Sequence, residues 1–163
     1  MNFQKSHDFG LLLPRVANQR YLIQLRSPIY SIASNYKLYL LNNDRMPNLQ
    51  EWEAYVLQSV SAWKQWVNKW AINAEKDNSL ILKYDDILLD PKNSLHQAVM
   101  FFTDECVDKK KVANCAHELN IYRKNYLENF VYFDPDFFRW VESLAKIEMN
   151  KLGLMSFYQL ELE

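Results

Sequence analysis

Apolar residues recur along this chain in two rhythms. One is short and unbroken: Tyr21-Leu22-Ile23-Gln24-Leu25 runs into Arg26, and Leu80-Ile81-Leu82-Lys83-Tyr84 runs into Asp85-Asp86. Runs of that length predict strands over 20–26 and 80–84. The other rhythm has the helical spacing. Ile29, Ile32, Ala33, Tyr36 and Leu40 mark a helix over 28–42. Pro28 opens it, at the one helical position where a missing N–H costs nothing. The segment from Asn42 to Pro47 is a break. Leu49 to Glu75 then reads as a long amphipathic stretch, one helix or two, carrying Trp52, Trp63, Trp66 and Trp70. Asp90-Pro91 and Asp134-Pro135 each join a capping aspartate to a first-turn proline. The first is expected to launch a helix with Leu95, Val99 and Phe102 inward. The second is expected to carry Phe138, Val141, Leu144, Ala145 and Leu152 and to close at Gly153. A further helix is expected over Lys109 to Leu119, a short strand over Asn2 to Ser6, and a loop over Asp8 to Asn18.

Strands separated by long helical crossovers imply an α/β fold, a small parallel sheet with many helices. A strand that feeds a helix through a tight turn puts Arg26 at the strand's C-terminal end, the edge where open α/β sheets bind ligands. Ser34 lies about two turns along the helix that follows. An arginine fork and that hydroxyl can converge on one phosphate. A solvated arginine with a serine facing a neighbouring helix is the plainer alternative.

The 163 residues suffice for one domain, and nearly half of them are apolar, which excludes a disordered chain. A net charge of −1 argues against a broad basic field for nucleic acid. Cys106 and Cys115 form no CxxC pair, which fits a reducing, cytoplasmic setting. No apolar run is long enough to span a membrane, and the N-terminal residues lack the apolar core of a signal peptide. No histidine–cysteine–carboxylate constellation supports a metal. The only glycines are Gly10 and Gly153, so no GxGxxG, GxxxxGK[ST] or GxSxG motif exists.

Four segments carry a resemblance. KSHDFGLLLP (5–14), LIQLRSPIYSIAS (22–34), WKQWVNKW (63–70) and LILKYDDILLDPKNSLHQAVMFF (80–102) occur in order. They are similar to the Lys-Thr-His, Arg-x-Pro…Ser, Trp-rich and Tyr-Glu-Asp-Leu elements of the PAPS-dependent sulfotransferases. The resemblance implies a P-loop-NTPase-like three-layer fold, here truncated, with residues 1–163 forming a single partial sulfotransferase domain. It implies PAPS as co-substrate, no metal, and sulfuryl transfer to a hydroxyl or amine acceptor. By resemblance Arg26 and Ser34 hold the 3′-phosphate and Tyr84 lies at the adenine. His7 is the general base, with Lys5 supporting charge at the reacting centre. Arg123 and Lys124 stand where the family has an Arg-Lys-Gly loop closing on the 3′-phosphate, with Asn125 in place of the glycine.

The family's Pro-Lys-Ser-Gly-Thr-Thr segment, which binds the 5′-phosphosulfate, has no counterpart in these 163 residues. The chain therefore resembles the C-terminal two-thirds of a sulfotransferase, and turnover by it alone is expected to be severely impaired. The alternative is a non-catalytic remnant that serves as a nucleotide-binding or protein-interaction module. Its expected partners are a sulfate acceptor of unread class and either a second copy of the chain or a missing N-terminal segment. His96 and His117 read as structural or solvated, and Lys109-Lys110-Lys111 as a solvated helix start.

Overall fold

The computed structural model describes residue 8 and residues 10–103, 107–117, 127 and 130–156. Two strands, β1 (Tyr21–Leu25) and β2 (Ser79–Lys83), pair in parallel with Leu25 opposite Lys83. Both lie where the apolar runs place them. β1 alternates, with Ile23 and Leu25 buried while Leu22 and Gln24 face out, so one face of this strand meets the core.

The helix expected after β1 is α1 (Pro28–Asn42), which buries Ile29, Ile32, Ala33 and Tyr36. Next comes α2 (Leu49–Val67), capped by the Asn48 side chain, which accepts from the Glu51 N–H. One π-helical turn, Asn68–Ile72, ends this stretch before the expected Glu75 and buries Trp70. A 3-10 turn, Lys76–Asn78, precedes β2, and the remaining α-helices are α3 (Tyr84–Leu89), α4 (Pro91–Thr103), α5 (Lys109–His117), α6 (Pro135–Leu144) and α7 (Lys146–Leu152).

Tyr36 stands at the centre of the core. Its ring lies 5.0 Å from Trp52, 5.1 Å from Tyr55 and 6.5 Å from Phe130. This aromatic cluster joins α1 to α2, and Phe138 and Val141 of α6 are buried in the same core.

Several expectations need correction. Tyr84 does not end β2 but opens α3, with Asp85 and Asp86 in its first turn, where carboxylates oppose the positive end of the helix dipole. The last helix is two, because Ala145 leaves helical geometry at φ −111°, ψ 9°. Gly153 closes α7 in the left-handed conformation, φ 59°. On α4 the buried residue is Ser94, while Leu95, Val99 and Phe102 are only half-buried. Asp90 caps that helix as expected, accepting from the Asn93 N–H at 3.0 Å. His96 is tied down, its Nε2 3.3 Å from the Val107 carbonyl oxygen. The expected strand at 2–6 and Leu119 lie outside the described residues.

Candidate functional site

The parallel register decides what meets at the C-terminal edge of the sheet. Because Leu25 pairs with Lys83, the residues that follow them, Arg26 and Tyr84, leave the sheet side by side. The Arg26 guanidinium lies 4.4 Å from the centre of the Tyr84 ring and 4.9 Å from that of Tyr30. Tyr30 belongs to the first turn of α1. A cation between two aromatic faces gains about 0.5–1 kcal/mol from each at a partly exposed site. Arg26 is half-buried.

Ser27 follows Arg26 and occupies the N-cap of α1, but its hydroxyl caps no backbone N–H. It is 1% exposed, and its Oγ has no hydrogen-bond partner among the described residues. The positive end of the α1 dipole therefore opens beside Arg26 without a capping side chain. Ser34 is half-buried further along α1, roughly 9 Å down the axis from Pro28. Among the sequence-predicted residues, Arg26 and Tyr84 come together, and Ser34 lies on the same helix beyond them. Lys5, His7, Arg123 and Lys124 lie outside the described residues.

Asp8, the chain neighbour of His7, was given no role by the sequence. Its carboxylate accepts from Lys69 Nζ at 2.6 Å, from the Trp70 indole N–H at 2.9 Å and from the Leu13 N–H at 3.0 Å. Burial pushes the Asp8 carboxyl up. The Leu13, Lys69 and Trp70 hydrogen bonds and the Lys69 charge together outweigh it and bring the pKa down to about 2. Lys69 also donates to the carbonyls of Leu11 and Leu13, tying these residues and Asp8 to the π-helical turn. Arg15 continues this tether toward the sheet, donating to the Trp70 carbonyl and to Ser79 Oγ, each at 3.2 Å. Its guanidinium stacks near Tyr21 and Trp70. The available signal was Lys69-Trp70 inside the Trp-rich segment, which reads as core or pocket wall without a known partner.

Among the described residues no group of three or more His, Cys, Asp or Glu side chains is placed to hold a metal ion. No helix among them is long and apolar enough to cross a membrane. No family model, curated protein or solved structure matches the chain.

Proposed function

We propose that this chain is a sulfotransferase-type domain whose nucleotide half-site is built on Arg26, Ser34 and Tyr84. One observation carries the reading. Two residues far apart in sequence, which the motif resemblance assigns independently to the nucleotide, lie in contact at the C-terminal edge of the parallel strands. That edge is where α/β sheets bind nucleotides. The guanidinium supplies a planar pair of donors for phosphate, the α1 dipole adds positive field, and the Tyr84 face offers a surface for a base.

In the proposed reaction the acceptor oxygen or nitrogen attacks the sulfur of PAPS. The bond from sulfur to the nucleotide's phosphate oxygen breaks, and the acceptor proton passes to His7. The electron pair leaves on adenosine 3′,5′-bisphosphate. The 163 residues contain no phosphosulfate-binding Pro-Lys-Ser-Gly-Thr-Thr segment, so each lost donor to the leaving phosphate costs about 10²–10³ in rate. Turnover by this chain alone is accordingly severely impaired, and its nucleotide affinity is the property to test.

Calorimetric titration of adenosine 3′,5′-bisphosphate, with 5′-AMP as control, makes that test. Binding that needs the 3′-phosphate and is lost in Arg26→Ala supports the half-site. A folded chain that binds neither nucleotide overturns it. The interaction-module reading would then lead, on a specific feature: the described sheet has two strands, each with an unpaired edge, and Leu22 on its open face is 43% exposed.

A further inference from the structure

We propose that Tyr30 is a positioning residue for Arg26, its ring holding the guanidinium in the pose that receives the 3′-phosphate while Tyr84 turns to the base. This assignment rests on the half-site reading above and concerns a residue to which that reading gives no part.

Both rings lie close to the guanidinium, Tyr84 at 4.4 Å and Tyr30 at 4.9 Å, but their supports differ. Tyr30 follows two buried residues, Pro28 and Ile29, in the first turn of α1. Pro28 fixes its own φ, and the Ser31 N–H donates to the Ser27 carbonyl at 3.1 Å, closing the turn across Tyr30. A helix of 15 residues continues from that turn. Tyr84 opens a helix of six residues that buries none of them and has no side-chain cap. Elements with few buried contacts open most readily, so Tyr30 is the fixed ring and Tyr84 the movable one.

Nucleotide binding makes that difference count. A base that stacks on the Tyr84 face now met by Arg26 displaces the guanidinium from it. Arginine has a long side chain with large rotamer freedom, and a head group released from both rings must be ordered again by the phosphate it binds. Tyr30 prevents that release. A contact through a ring face uses none of the five N–H donors, so the hold does not compete with the phosphate oxygens. Apparent affinity follows the fraction of molecules in the competent pose, and one cation–π contact at a half-exposed site changes that fraction by about two- to fivefold.

The test compares the full chain with Tyr30→Leu, which keeps apolar bulk, with Tyr30→Phe, which keeps the ring, and with Tyr84→Leu. The ¹H–¹⁵N heteronuclear NOE at Arg26 Nε reads the order of the guanidinium without a ligand, and calorimetry reads binding of adenosine 3′,5′-bisphosphate. The NOE should be high in the native chain and in Tyr30→Phe, and should fall in Tyr30→Leu. Because α3 buries no residue, Tyr84→Leu should fold and keep the NOE high. The nucleotide Kd should rise about two- to fivefold in Tyr30→Leu and return to the native value in Tyr30→Phe. An NOE that stays high in Tyr30→Leu, or that falls in Tyr84→Leu, overturns the assignment. So does an affinity unchanged in Tyr30→Leu when Arg26→Ala abolishes it. A native chain that binds no nucleotide overturns the half-site, and the NOE still decides whether Tyr30 holds Arg26.

Discussion

Trp52 packs at the junction of α1 and α2, and its replacement by alanine or phenylalanine separates the two contributions the indole makes. The side chain is 1% exposed, with ring centres 4.7 Å from Phe130 and 5.0 Å from Tyr36. Truncation to alanine removes the whole ring from a packed aromatic cluster, and such deletions cost about 3–5 kcal/mol. For a chain of this length each kcal/mol lowers Tm by roughly 2–4 °C, so Trp52→Ala should melt about 6–20 °C lower. Phenylalanine keeps one ring and loses the pyrrole, worth about 1–2 kcal/mol of burial. It also removes Nε1, a buried donor without a hydrogen-bond partner among the described residues. An unmet donor of that kind costs about 1–3 kcal/mol, so the two changes largely offset one another. Trp52→Phe should therefore stay within about 1 kcal/mol of the native chain. Urea unfolding followed by far-ultraviolet circular dichroism is the suitable assay, because the chain carries five tryptophans and fluorescence would change with the substitution itself. If Trp52→Phe falls as far as Trp52→Ala at equal m-value, the buried Nε1 carries no such cost. The consequence reaches the proposed nucleotide half-site, since Trp52 packs against Tyr36 on α1, the helix that begins beside Arg26.

Two further outcomes follow from single residues. Asp8 has a folded-state pKa of about 2 against an ordinary 3.8, so the folded chain holds fewer protons in that range. Its contribution is complete above about pH 4 and is lost as pH falls toward 2; the urea midpoint of Asp8→Asn should therefore be lower at pH 7 and flatter over that acid window, and parallel curves for the two proteins would contradict the assignment. Gly153→Ala places a side chain at φ 59°, with the new Cβ 3.1 Å from Lys83 Nζ, which donates to the Gly153 carbonyl at 2.8 Å. The backbone term dominates there, and a loss of about 1–2 kcal/mol in chemical denaturation is expected. An unchanged midpoint would mean that α7 ends another way.

What could be read from the sequence was local. Pro28 fixes the start of α1, Asp90 and Asp134 cap their helices through backbone N–H groups two or three residues away, and Gly153 stops α7 by adopting a left-handed conformation. Each of these signals acts within one turn of the chain, so the order of residues suffices to find it. The positions of β1, β2 and α1 followed for the same reason. Tertiary structure decided the rest. It made Tyr84 the first residue of a helix, split the C-terminal helix at Ala145, and drew Trp70 inward through a π-helical turn. It also set Asp8 against Lys69 and Trp70, and Lys64 near Glu148, pairings whose partners lie on different segments. Arg26 was legible alone as the residue closing an apolar run, whereas Tyr84, expected to end a strand, opens a helix. Only the parallel register of β1 and β2 brings the guanidinium over the ring, because side-chain contact depends on which strands pair and in what alignment, and that is fixed by packing across the whole chain.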